Sequence, residues 1–110
     1  MSRKELERLE EKKQEEIRKI RMPKKDRLEM LGVILQLHGS DQVRVACDDG
    51  KERMCRIPGK MRKRVWMRER DLVIVRLWDF QPIKGDIIWR YTGAQGEHLR
   101  KGGVLSNLPL

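Results

Sequence analysis

Aromatic residues are scarce in this 110-residue chain, at 5%, so any core must rest on valine, isoleucine, leucine and methionine. Cysteine is scarcer still. Cys47 and Cys55 are too few for a disulfide framework, and they lack the paired clusters of a structural zinc site. No run approaches the roughly 20 apolar residues of a membrane span, and Met1 to Arg21 contains nothing like the apolar core of a signal peptide. A soluble, cytoplasmic protein without membrane contact is expected. The groupings that catalysis needs are missing too. His38 sits in a turn and His98 near the end, with no Ser or Cys partner at useful spacing. No phosphate-cradling Gly loop and no carboxylate pair in an apolar setting occurs, and Asp48-Asp49 reads as turn chemistry. The chain is therefore expected to be no enzyme, with no cofactor and no metal.

What is abundant is charge. Charged residues make up 39% of the chain and the formal net charge is +9. The excess is concentrated: Lys51 to Arg70 carries nine Lys/Arg against two acids, while residues 28–50 are net acidic. So dense a run of cations cannot be core, because unpaired charges are almost never fully buried. It must lie on a surface, as expected of a patch that meets polyanions. Arginines outnumber lysines there, and the forked guanidinium donors fit phosphate oxygens in pairs. Trp66 adds an indole on which a base can stack.

The length leaves room for one small domain with a modest tail. Residues 1–27 read as a charged, partly helical or disordered tail and linker. Ser2 and Glu5 have capping-box spacing, and Lys12–Glu16 and Glu15–Lys19 have helical i,i+4 spacing. The apolar stripe of Leu6, Leu9, Ile17 and Ile20 is interrupted by Lys13, and Pro23 stops the pattern. From Leu28 the character changes. Met30 to Leu37 reads as a strand bent at Gly32. Gln42 to Asp48 alternates, with Val43, Val45 and Cys47 on one face. Asp49-Gly50 is a strong hairpin signal that returns Lys51 to Ile57 as a third strand. A two-residue loop would pair Val45 with Met54 and send Cys47 and Cys55 to opposite faces. A three-residue loop would shift that register. Pro58-Gly59 ends the strand and leaves room for a helical turn before Asp71. Leu72 to Trp78 is apolar on both faces, Asp79 to Gly85 reads as a longer loop, and Asp86 to Tyr91 reads as a fifth strand with Ile87, Trp89 and Tyr91 in phase. Glu97 to Lys101 would add a short helix.

Five strands with a helical turn between the third and fourth is the order of an all-β, five-stranded OB-fold barrel. That domain would span residues 28–93, with 94–110 a short C-terminal extension. Such barrels bind oligonucleotides on the face of strands two and three, flanked by the loops after strands one and four. The basic stretch supplies strand three and the helical turn, so it falls beside that face.

The string DGKERMCRIPGKMRKRVWMRERDLVIV, followed by DIIWRY, resembles the archaeal and eukaryotic translation initiation factor 1A family, in its archaeal form. The resemblance implies an S1-like OB fold that binds rRNA of the small ribosomal subunit at the aminoacyl-tRNA site. It also implies cooperation with other initiation factors in placing initiator tRNA and mRNA, by a protein that is a monomer in isolation. Lys60, Arg62, Lys63 and Arg64 match the family's basic motif and are read as RNA-binding. Arg44, Arg53, Arg56, Lys84 and Arg90 extend that reading across the sheet. Trp66 either stacks on RNA or plugs the barrel's end, whereas Trp78 and Trp89 are read as core. Arg70 stands where the family usually has Gly, in a turn that would strain it if φ is positive. The competing readings are a general single-stranded RNA chaperone and a protein-interaction module acting through the N-terminal charged segment. The chaperone expects aromatics on strands two and three, which contain none.

Overall fold

The computed structural model describes residues 2–8, 20–39, 41–64, 66–102 and 108, with residues 62–64 described by their backbone alone. The strands are β1 (Glu29–His38), β2 (Gln42–Cys47), β3 (Glu52–Arg56), β4 (Leu72–Trp78) and β5 (Gln81–Arg90). Helix α1 (Gly59–Arg64) connects β3 to β4, and helix α2 (Gly93–Lys101) follows β5. The strands close into a barrel in the order β1-β2-β3-β5-β4, with β3 and β5 parallel and the other neighbours antiparallel. This is the five-stranded OB architecture that the element order implied.

β1 is long because it serves two partners. Glu29 to Val33 pairs with β4, and Gly32 to His38 pairs with β2. Gly32 lies where the pairings overlap, and a Cβ there would come within 2.5 Å of a Val45 methyl. A bulge at Leu35 completes the bend.

The barrel interior is filled by Ile34, Val43, Val45, Cys47, Cys55, Ile57, Met67, Val73, Val75 and Ile87. A second apolar cluster lies outside it, where Leu31, Val33, Leu72, Ile74 and Tyr91 pack with Leu99 of α2 and with Leu108. β4 is therefore apolar on both faces for two reasons: Val73 and Val75 point inward, while Leu72 and Ile74 face this outer cluster. α2 begins earlier than Glu97. Thr92 caps it, its hydroxyl accepting from the Gln95 N–H at 3.2 Å while the Gln95 side chain accepts from the Thr92 N–H. Ile20 packs against the outer cluster, the Tyr91 hydroxyl donates to the Arg21 carbonyl, and the Arg21 guanidinium lies 5.5 Å from the Trp89 ring. At the N-terminus the Ser2 hydroxyl accepts from the Glu5 N–H, as the spacing suggested. Leu9, Ile17 and the pairs Lys12–Glu16 and Glu15–Lys19 lie outside the described residues.

Three expectations need correction. The β2–β3 register is that of the longer loop: Val45 pairs with Arg53 and Val43 with Cys55. Cys47 and Cys55 consequently both face the core, as free thiols. Burial pushes the Cys55 thiol up to about 12 and raises Cys47 as well, which removes both from thiolate chemistry near neutrality. The second correction concerns Asp79 to Gly85. Only Asp79-Phe80 forms the turn, because Trp78 pairs directly with Gln81, and an irregularity before Gly85 restores the register. Finally, Trp78 and Trp89 are not core: Trp78 is half-buried and Trp89 is exposed. Trp89 is thrown outward by a second irregularity, between the Ile74–Trp89 and Val75–Ile87 pairs, which breaks the in-phase pattern.

Candidate nucleic-acid interface

Strand pairing sorts the predicted residues into rows. Arg44 pairs with Met54 and Met54 with Lys84, so these three stand side by side on the outer face of β2-β3-β5. The next row is Gln42, Arg56 and Asp86. Arg44, Arg56 and Lys84 are exposed, which places three cations on the sheet face that OB domains offer to oligonucleotides. At the end of β3, Pro58-Gly59 turns the chain into α1. Its residues GKMRKR carry Lys60, Arg62, Lys63 and Arg64, with no acid in the first turn. Lys60 is exposed, and Met61 packs against the barrel interior and seats the helix. The side chains of Arg62, Lys63 and Arg64 lie outside the described residues.

Trp66 follows α1 at 86% exposure and so does not plug the barrel; Met67 turns inward instead. The Trp66 carbonyl accepts from Arg90 Nη1 at 3.2 Å, and the same nitrogen lies 3.7 Å from Asp71. Arg90 thus braces the backbone leaving the basic helix, and is half-buried. Arg70 has φ of 71°, in the left-handed region that its stand-in for Gly implied. The turn is held by Arg70 N–H donating to the Ile34 carbonyl and Arg68 N–H donating to the Asp71 carboxylate.

Arg53 does not join the interface. The three-residue loop turns it inward, where it is 5% exposed. Its guanidinium donates to both oxygens of Asp49 at 2.9 and 2.7 Å, and Nε donates to the Pro82 carbonyl at 2.8 Å. The hydrogen bonds to Asp49 raise the guanidinium's pKa, and those from Arg53 lower that of the carboxyl. Arg53 therefore fastens the β2–β3 hairpin to β5 and offers no donor to a ligand.

Residues that composition hid complete the surface. Trp78 and Phe80 stack with centroids 5.6 Å apart and planes at 26°. Phe80 is 84% exposed. The Arg56 guanidinium and the Lys84 ammonium lie 5.6 and 5.8 Å from the Trp78 ring. Asp86 ties the group together, accepting from Arg56 through both oxygens at 3.1 Å and from the Trp78 indole N–H at 3.1 Å. The one signal for Phe80 was an aromatic set between Asp79 and Gln81 in a turn, where nothing can cover it.

A basic OB barrel with cations on its outer sheet face and a cationic helix at the end of β3 has the make-up of a nucleic-acid-binding module. Comparison makes the class specific. The family model described as translation initiation factor 1A / IF-1 matches residues 17–108, and the chain belongs to that family. Translation initiation factor 1A of Methanopyrus kandleri is 52% identical over 91 residues, covering 83% of this chain and 80% of that protein. The factor 1A of Archaeoglobus fulgidus is 45% identical over 84% of this chain and 95% of its own, and that of Thermoplasma acidophilum is 44% identical over 86% and 80%. The role is in translation initiation, and these factors are not enzymes. No helix among the described residues is long and apolar enough to cross a membrane.

Proposed function

We propose that this protein is a cytoplasmic initiation factor that binds the small ribosomal subunit at the aminoacyl-tRNA site by gripping rRNA phosphates. There it assists the placement of initiator tRNA and mRNA alongside other initiation factors. The observation that carries this reading is the exposed trio Arg44, Arg56 and Lys84 on the sheet, beside a strand end that leads into α1, with its sequence GKMRKR and exposed Lys60, and then to the exposed Trp66. Cations presented this way suit phosphate contacts, which position a ligand without reading its sequence. Arg53 is left out of this grip.

Sedimentation with isolated small subunits tests it. About four phosphate contacts from α1 give a fall of log affinity with log salt at a slope of roughly −3 to −4. The double reversal Arg62→Glu with Lys63→Glu abolishes co-sedimentation while leaving the melting transition in place, since surface changes usually alter stability by within about 0.5 kcal/mol. A slope near zero, or binding that survives the double reversal, refutes the phosphate grip.

A further inference from the structure

We propose that Arg90 is a positioning residue for Trp66: together with Asp71 it holds the backbone on either side of Met67, so that the exposed indole is aimed at rRNA, and it grips no phosphate of its own. The inference rests on the proposed binding to the small subunit. It gives one cation of the predicted site a different task.

Nothing fixes the Trp66 ring itself. It is 86% exposed, and among the described residues no aromatic or cation packs on it. Its direction is therefore set by the backbone that carries it, which is pinned at Trp66, Met67 and Arg68 in turn. The Trp66 carbonyl accepts from Arg90 Nη1, the Met67 side chain is buried in the barrel interior, and the Arg68 N–H donates to the Asp71 carboxylate at 2.9 Å. Both outer pins stand on the sheet. Arg90 ends β5 opposite Val73, and the Asp71 carbonyl, just ahead of β4, accepts from the Ile34 N–H. The 3.7 Å contact between Arg90 and Asp71 closes the brace.

The same geometry disqualifies Arg90 as a phosphate fork. Nη1 is committed to Trp66 and Asp71, and Nε is buried with no partner among the described residues. A bidentate grip needs two free nitrogens, and only Nη2 is left. Its charge is also answered by Asp71, so it adds little to the attraction of a polyanion. Because one nitrogen serves both partners, a single ammonium can replace it, an exchange that a phosphate fork does not tolerate.

A double-mutant cycle on small-subunit affinity, read by sedimentation of the full-length protein, tests this. Trp66→Ala weakens binding roughly tenfold, the size of one base–aromatic contact. Arg90→Met weakens the wild type by a similar factor, has no further effect once Trp66 is Ala, and leaves the salt slope unchanged. Arg90→Lys restores the wild-type affinity. In a background of Trp78→Phe and Trp89→Phe, the fluorescence anisotropy of Trp66 falls with Arg90→Met and returns with Arg90→Lys, which a general loss of stability does not produce. Asp71→Ala, which frees Arg68 and Arg90 together, follows the same pattern, so the cycle stands even where one of the two variants melts below the assay temperature. Additive losses, with the slope reduced by about 1 in Arg90→Met, return Arg90 to the phosphate grip and overturn the inference. An unchanged anisotropy, or Arg90→Lys binding no better than Arg90→Met, overturns it too. Trp66→Ala that binds like the wild type overturns this inference alone. A wild type that fails to sediment with small subunits brings down the functional reading with it.

Discussion

Replacing Arg53 by Ala tests whether a cation in the basic stretch serves the fold or the ligand. The side chain is 4% exposed, and three hydrogen bonds to Asp49 and the Pro82 carbonyl hold its guanidinium between the β2–β3 loop and β5. Truncation leaves a cavity beside Met30, strands the Pro82 carbonyl and unpairs Asp49. Breaking a fully buried pair costs about 3–5 kcal/mol. Asp49 is 32% exposed and recovers part of its hydration from water, which puts the loss near the bottom of that range, at about 3 kcal/mol. With a urea m-value of roughly 1–3 kcal/mol/M, the midpoint falls by at least about 1 M. Arg53→Met keeps most of the packing and loses less. Urea titration followed by circular dichroism reads both changes. Small-subunit affinity, measured at a temperature where both variants are folded, stays at the wild-type value. Arg53→Ala with an unchanged midpoint and a reduced affinity would refute the argument and return Arg53 to the interface.

Gly85→Ala tests the close approach of β5 to its neighbours. A Cβ there would lie 2.9 Å from the Arg76 carbonyl oxygen and 2.7 Å from a Val75 methyl. Backbone cannot yield as a side chain can, so the variant is expected to lose about 1–3 kcal/mol, a fall in Tm of several degrees on thermal melting. High pH acts through the buried thiols. Cys55 holds its proton to about 12 in the folded state, while an unfolded thiol releases it near 9.0. The folded state therefore binds more protons across that window, and stability present below pH 9 declines as pH rises through it. Cys55→Ala flattens this decline relative to wild type in melts taken between pH 8 and 11. A thiol reagent at pH 8 labels Cys47 and Cys55 only as fast as the protein unfolds.

The strands were legible because their alternation is set by burial on one side, and the order of strands with one helical turn between the third and fourth admits few architectures. Val43, Val45 and Cys47 face the core as their period demands. What stayed hidden depended on a count of loop residues. One residue more in the β2–β3 loop carried Arg53 and Cys55 to the inner face, and took Arg53 from the candidate site. Trp78 and Trp89 were misplaced because apolarity was equated with burial, while irregularities in β5 move the phase. The strain at Arg70 was readable, since a residue standing for Gly in a turn either unbends it or takes its φ; it takes it. The cationic character of Lys60 to Arg64 was visible from charge alone, but the Phe80–Trp78 stack needed the hairpin register.

The barrel is shut by its weakest pairing. β3 and β5 meet in parallel over Met54–Lys84, Cys55–Gly85 and Arg56–Asp86, whereas β1 is paired along its length with β2 and β4. The sequence separation across this seam is large compared with the hairpins, though smaller than that between β1 and β4, so both closures carry more loop-closure entropy than the hairpins do. The Arg56–Asp86 bridge spans the seam itself. A chain that has formed its hairpins but not zipped β3 to β5 has no Arg44–Met54–Lys84 row, and its Trp78 indole lacks the Arg56 clamp. Ligand-binding competence thus waits on closure of this seam and is not supplied by the hairpins alone. RNA bound as proposed, bridging β3 and β5, would act as a latch on the closed state, slowing unfolding without any need to speed folding.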